Sequence, residues 1–318
     1  MANNAKKIYG VIGYPVKHSL SPVMHNAAFA HLQINAEYKL FEVRPKELED
    51  FLNIDNLNKE NIYGLNVTIP HKIRAKEILE KEYLHNQNVP RVWDVDLLDV
   101  ELSGAINTIK RESHILKYWN TDVAGFKNSL YEDLGFKTEH KTALLIGCGG
   151  AGRAIIAALS SKDFKIKRVY ITDINQDAIV SAKKHFDNIP PVKYLIKYVN
   201  EKLKFIPIED IEEVIKDCDL LVNATPIGMK DEDEPPIKRN LLHENLFVYD
   251  VVYNRDNQDG KTRLIRDAES LNLRAAGGLR MLLHQGVLSF EHWIEKKAPQ
   301  EIMWKALQEN LTNARNNN

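Results

Sequence analysis

TALLIGCGGAGRAIIAALS, residues 142–160, is the stretch on which the fold turns. Its apolar run at 143–146 is too short for a helix and ends at a glycine, which reads as a strand buried on both faces. Gly147, Gly149 and Gly152 then satisfy G-x-G-x-x-G, and the alanine-rich run behind them reads as a helix at 151–160. Strand, glycine turn and helix in that order are the context in which the motif binds a dinucleotide. The glycines permit a tight turn, close approach of backbone to a pyrophosphate, and helix–strand packing, while free N–H groups at the helix N-terminus face the phosphates. Gly147, Gly149, Gly150, Ala151 and Gly152 are therefore candidate cofactor contacts; a glycine-rich turn that binds nothing is the plainer reading. Asp173 ends the next expected strand, 168–173, and lies 21 residues beyond Gly152. An acid there accepts hydrogen bonds from the ribose hydroxyls of NAD and repels the 2′-phosphate of NADP. It could equally cap the helix expected at 176–186.

Outward from this stretch the same rhythm continues, with strands at 220–224 and 247–251 and a helix at 262–268, the layout of a doubly wound Rossmann-type nucleotide domain. The first third has its own alternation, strands at 8–13, 38–43 and 65–68 with helices at 23–32 and 46–53, so the fold class is α/β with two domains. A chain of 318 residues has room for two cores. The junction falls near 122–140, and two helical patterns at 279–294 and 300–311 could pack on either half. Polar, turn-rich segments at 83–97, 231–236 and 254–261 read as surface loops.

Forty-three basic residues against 44 acidic ones leave a formal net charge of −1, so nothing in the overall field calls for nucleic acid or an anionic membrane, and a small molecule is the natural partner. Cys148 and Cys218 have neither metal-ligand nor disulfide spacing, which fits a reducing compartment. No stretch reaches the roughly 20 apolar residues of a membrane span, and no apolar run follows the first lysines. The chain reads as cytoplasmic, a monomer or homodimer.

Three strings carry candidate chemistry. In His18-Ser19-Leu20-Ser21-Pro22, Ser21 reads as the N-cap and Pro22 as the first helical residue; capping does not explain Ser19, and two hydroxyls beside a helix N-terminus make a seat for a carboxylate. In Asn66-Val67-Thr68-Ile69-Pro70-His71-Lys72, a helix starting at Pro70 places Lys72 in its first turn, where the positive end of the dipole suits a lysine that trades its proton. An ordinary solvated lysine is the bland alternative. In Asn120-Thr121-Asp122, Asp122 either caps a helix at 123–134 or, at the mouth of a cleft, pairs with a lysine of the first half to move the proton of an alcohol while hydride leaves to nicotinamide. His18, His25, His71 and His284 lack ligand spacing, so no metal is expected.

GYPVKHSLSPVMHN (13–26), NVTIPHK (66–72), GAINT (104–108), NTDVAGF (120–126), GCGGAGRA (147–154), NATPIGM (223–229), DVVYN (250–254) and MLLHQG (281–286), in this order, resemble signatures of the shikimate dehydrogenase family over nearly the whole chain. The resemblance implies NAD(P)-dependent oxidation of the C3 hydroxyl of shikimate, with Lys72 and Asp122 handling the proton. It implies that Ser19, Ser21 and Thr68 hold the carboxylate of a cyclic polyol and that Asn107, Tyr253 and Gln285 contact the substrate. Thr225, Met229 and Gly278 fall on the nicotinamide side, with residues 1–122 plus 279–318 as substrate domain and 123–278 as nucleotide domain. Where NADP-using members carry Asn-Arg-Thr, this chain has Asp173-Ile174-Asn175, which favours NAD and is similar to the quinate-accepting branch. The string at 254–261 is longer than usual, 83–97 looks inserted, and Arg280 stands where a small residue is common. Those departures leave two alternatives: a catalytically silent NAD(P) sensor, or a dehydrogenase for aminoshikimate or a related hydroxy acid.

Overall fold

The computed structural model describes residues 5–85, 95–189, 199, 201–255, 257 and 259–313. The chain is α/β, built on two sheets. The first contains β1 (Lys7–Gly13), β2 (Ala36–Glu42), β3 (Ile62–Val67), β4 (Thr108–Glu112) and β5 (Ile115–Trp119) in the order β2-β1-β3-β4-β5. α1 (Ser21–His31) links β1 to β2, α2 (Leu48–Leu52) and α3 (Ile54–Lys59) link β2 to β3, and α4 (Lys72–His85) and α5 (Val95–Ser103) precede β4. The first three strands pair in parallel, and β4 and β5 add antiparallel at the edge.

Alternation along β1 divides two cores. Tyr9 and Val11 face one side and pack with Met24 and Phe29 of α1, whereas Ile12 faces Leu48, Leu57 and Leu79 on the other. Burying each such side chain stabilises by roughly 1.5–3 kcal/mol, which holds the helices to the sheet.

After α6 (Thr121–Glu132) comes the second sheet, of β6 (Thr142–Ile146), β7 (Arg168–Thr172), β8 (Leu203–Phe205), β9 (Leu220–Asn223), β10 (Phe247–Asp250) and β11 (Ala275–Gly277). Its order is β11-β10-β9-β6-β7-β8 and every pairing is parallel. The helices α7 (Gly150–Ser160), α8 (Gln176–Asp187), α9 (Ile211–Val214) and α10 (Arg263–Ser270) connect the strands. Both faces of β6 are covered, Ala143 and Leu145 in one cluster and Leu144 and Ile146 in the other, as a continuous apolar run requires. The strand order reverses between β6 and β9, and a crevice opens beyond the carboxyl ends of such strands.

Two helices join the sheets, α6 on the way out and α11 (Gly278–Ile294) on the way back. They touch closely enough that a Cβ on Gly125 would lie 2.9 Å from Gln285 Cβ. Beyond α11, α12 (Gln300–Asn313) places Met303 and Leu307 in the core formed by β1 and α1. This packing decides the placement of the C-terminal helices that periodicity left open. No helix among the described residues is long and apolar enough to cross a membrane.

The β4–β5 hairpin has no counterpart in the sequence reading. Its strands carry Lys110, Arg111, Glu112 and Lys117, and of their apolar residues only Ile109 and Leu116 are fully buried, so the apolar signal is thin. The expected loop at 83–97 is helical at both ends, since α4 runs to His85 and α5 starts at Val95; residues 86–94 lie outside the described ones. At 254–261 the chain is a loop, with 256 and 258 outside the described residues.

Candidate active site

Between the sheets lies a cleft of about 420 Å³. Five helices, α1, α4, α6, α7 and α11, open at or beside it, and Ser21, Lys72, Asp122, Ala151 and Gly278 from their first turns line its wall. Helix N-termini present unsatisfied N–H groups and the positive end of the dipole, so their convergence favours an anionic occupant.

On the first-sheet side, Lys72 Nζ lies 2.6 Å from Asp122 Oδ2, with both side chains almost wholly buried. Asp122 is free for this pairing because Asn120 caps α6, its Oδ1 accepting from the Asp122 N–H at 3.2 Å. The capping role considered for Asp122 therefore belongs to Asn120. α4 begins at Lys72 itself rather than at Pro70, since residues 69 and 70 form a turn closed by the His71 N–H donating to the Thr68 carbonyl at 2.9 Å. Nor does Ser21 cap α1: the N-cap position is Leu20, without a side-chain cap, and Ser21 is the first helical residue. Ser19 Oγ does the work expected of a cap, accepting from the Ser21 N–H at 3.2 Å and donating to Ser21 Oγ at 3.1 Å. Two hydroxyls thus stand together at the rim.

Asn107 and Gln285 are oriented by a buried polar network. Asn107 Oδ1 accepts from the Thr121 N–H at 2.7 Å, and its amide donates to Thr121 Oγ1 at 3.0 Å and Gln285 Oε1 at 3.4 Å. Gln285 Nε2 donates to the Leu282 carbonyl at 2.7 Å. Asn66, which the sequence reading quoted but did not assign, also lines the cleft. Its Oδ1 accepts from the Tyr38 hydroxyl at 2.8 Å and its amide donates to Ser289 Oγ at 2.9 Å. The Thr121 N–H fixes the Asn107 amide, the Leu282 carbonyl fixes that of Gln285, and the Asn107 backbone carbonyl, which accepts from the Asn66 amide at 3.1 Å, fixes that of Asn66, because a flip would set donor against donor or acceptor against acceptor. Tyr253, from the loop after β10, reaches across so that its hydroxyl accepts from the Leu20 N–H at 3.3 Å. Thr68 lines the same wall, as does His18, which is exposed.

On the second-sheet side, Gly147 sits at φ +107° with Ala224 against it, and a Cβ on Gly152 would lie 2.1 Å from the Gly147 carbonyl. Neither position admits a side chain. Space is left where a pyrophosphate would approach: a Cβ on Gly149 would meet nothing within 4 Å. The loop and the α7 N-terminus fit a dinucleotide. Asp173 lies outside the cleft wall, its Oδ2 accepting from the Cys148 N–H at 2.7 Å and its Oδ1 from the Asn175 N–H at 2.8 Å. Asn175 is the residue that caps α8, so Asp173 is not the cap. Thr225, Met229 and Gly278 line the cleft. Thr225 is held by Asn223 Oδ1, which accepts from its N–H at 3.0 Å and its hydroxyl at 2.7 Å. Asn223 donates to Asp250 at 3.0 Å, and Thr262 donates to the same carboxyl at 2.6 Å. Burial pushes Asp250 up to about 7, against the pull of these donors.

Arg280 does not enter the cleft. Its guanidinium lies 4.0 Å over the Trp304 ring and its Nε 3.3 Å from Asp133 Oδ1, so it ties α11 to α12 and to the end of α6. The long side chain that stood out in the sequence is absorbed on the outer face. Of the histidines, His71 is buried with Nε2 2.7 Å from the Val43 carbonyl, and His25 is fully enclosed with neither ring nitrogen bonded. Among the described residues no three His, Cys, Asp or Glu side chains are arranged to hold a metal ion.

Residues 11–89 match the model of the shikimate dehydrogenase substrate binding domain, and residues 278–308 that of the shikimate 5′-dehydrogenase C-terminal domain. A shikimate dehydrogenase (NADP(+)) of Methanopyrus kandleri is 37% identical over 309 residues, 96% of each chain. The chain belongs to the shikimate dehydrogenase family. Its namesake in Methanocaldococcus jannaschii is 33% identical over 315 residues, 98% of this chain and 100% of that one. A crystal structure of a shikimate dehydrogenase in complex with NADP+ matches 98% of both chains at 33% identity and a TM-score of 0.79. The Listeria monocytogenes enzyme in complex with shikimate and NAD matches at 30% identity and a TM-score of 0.72, covering 95% of this chain and 96% of that one. Like other members of this family, the chain is an oxidoreductase by descent, and its relatives are crystallised with either dinucleotide.

Proposed function

We propose that the protein oxidises shikimate reversibly at its C3 hydroxyl to 3-dehydroshikimate, accepts quinate as a related substrate, and uses NAD in preference to NADP. One observation carries the reading: Lys72 Nζ and Asp122 Oδ2 stand 2.6 Å apart on the wall of a cleft that also includes the α7 N-terminus of a dinucleotide loop. Residues 1–122 with 279–318 serve as the substrate half and 123–278 as the dinucleotide half.

The dinucleotide, when bound, supplies the hydride acceptor. The chain supplies the rest. Ser19, Ser21 and Thr68 hold the carboxylate, helped by the α1 N-terminus, and Tyr253 closes over them. Asn66, Asn107 and Gln285, locked by their network, offer fixed donors and acceptors to the ring hydroxyls. Lys72 Nζ takes the proton of the reacting hydroxyl, and Asp122 stabilises the ammonium so formed. In the reverse direction Lys72 returns it. Burial of both groups keeps bulk water from competing for that proton.

The preference for NAD rests on Asp173, whose carboxylate is pinned to the glycine loop by the Cys148 N–H, and on Ile174, which is 75% exposed and offers no cation to a 2′-phosphate. The Methanopyrus and Methanocaldococcus relatives carry NADP(+) in their names, so a preference for NAD would set this chain apart from them. Formation of reduced dinucleotide with shikimate and quinate, each against NAD and NADP, tests the whole proposal. Expected is turnover with both acids and faster turnover with NAD; no turnover in any pairing, with dinucleotide still bound, overturns it.

A further inference from the structure

Two adjacent glycines of the dinucleotide loop face different things. A Cβ on Gly149 would meet open space, whereas one on Gly150 would lie 2.9 Å from Lys72 Cβ, 3.0 Å from its Cδ and 3.4 Å from its Cγ. Neither residue is in the left-handed region, Gly149 having φ −66°, so the backbone admits alanine at both and only the surroundings distinguish them. The lysine cannot swing clear at low cost. Its Cβ is fixed to the first residue of α4, whose carbonyl accepts from the Ile106 N–H at 3.0 Å, and its Nζ is tied to Asp122. The stem of Lys72 is therefore held between Gly150 on one side and Asp122 at its tip.

We propose that Gly150 is a positioning residue for Lys72: the missing side chain lets the dinucleotide loop press against the lysine stem, and that contact aims Nζ at the reacting hydroxyl. The proposal deepens the reading of Lys72 as the proton-handling group and rests on it. The same loop offers its free N–H groups to the pyrophosphate, so seating of the dinucleotide and aiming of the lysine become one event.

A double-mutant cycle separates this from general damage to the loop. Alanine suits the first turn of a helix and the backbone angles at 150, so Gly150→Ala is expected to fold; every variant is compared at dinucleotide saturation, established by nicotinamide fluorescence titration with NADH, so that weaker binding does not enter kcat. The kcat of Gly150→Ala is expected to fall about 100-fold, the usual consequence of misplacing a reacting group by about 1 Å. Lys72→Ala keeps the Cβ but has no Nζ to misplace. In that background Gly150→Ala is expected to change the residual kcat by less than about 3-fold. Gly149→Ala serves as the contrast, weakening NADH binding by about 10-fold or more. Equal losses from Gly150→Ala in the two backgrounds, or none in the parent, overturn the proposal. Failure of the underlying reading shows separately, as a Lys72→Ala single variant that retains the parent kcat.

Discussion

His25 offers a stability test that needs no substrate. Its imidazole is fully buried, stacked at 4.5 Å on Tyr38 and 5.2 Å from Trp293, and neither nitrogen has a hydrogen-bond partner. Burial pushes it down to about 3, against about 6.5 for an exposed imidazole. Because the folded value is the lower one, the unfolded chain binds the proton first. The contribution to stability is fully present above pH 6.5 and is lost as pH falls towards 3. At pH 5 the unfolded imidazole lies about 1.5 units inside its protonated range, which corresponds to a loss of about 2 kcal/mol relative to pH 8. His25→Phe removes the titration while leaving a ring in the stack. Its packing cost is the same at both pH values, and the contributions of other titrating groups such as Asp250, which do change with pH, are common to parent and variant and cancel in the difference. Urea unfolding of both proteins at pH 8 and pH 5 should show the variant gaining about 2 kcal/mol on the parent at the lower pH. A parent-to-variant difference that does not change with pH refutes the account of His25 as a neutral buried ring.

Three further outcomes are expected. Asp122→Asn removes the charge beside Lys72 and should lower kcat by about 100-fold with NADH affinity within about 3-fold, checked by steady-state rates and fluorescence titration. The pair Asp173→Asn with Ile174→Arg should shift the ratio of kcat/KM for NADP over NAD upward by about 10-fold or more, since a repelling carboxylate is replaced by a bidentate donor. Arg280→Ala should cost about 1 kcal/mol in denaturant unfolding, because the Trp304 and Asp133 contacts are partly screened, while leaving kcat and both KM values near the parent.

Much of the second sheet was legible because each of its signals is local. The run at 143–146, the glycines after it and the helix behind them all answer to neighbouring residues, and the parallel order followed from the same rhythm. Cap positions were less legible. Ser21, Asp122 and Asp173 each belong to a string in which two or three side chains could accept the same N–H, and the choice fell to Ser19, Asn120 and Asn175 once the chain direction was set. The β4–β5 hairpin escaped notice because each of its strands buries a single apolar side chain fully. Asn66 was overlooked for a related reason: a lone amide in a strand carries no signal until its partners Tyr38 and Ser289 arrive from elements 28 and 223 residues away.

By itself the sequence determined the α/β class, the strand–glycine turn–helix unit at 142–160 and the family, since these rest on strings whose meaning survives in any tertiary setting. Only the folded chain decided that Lys72 and Asp122, 50 residues apart, share one hydrogen bond. Only there does Arg280 turn outward onto Trp304 and Gly150 lie against the lysine stem. The physical reason is that a turn or a cap is specified by backbone and side-chain chemistry within a few residues. A contact across a cleft depends instead on how two cores and the helices joining them pack, which no single stretch encodes.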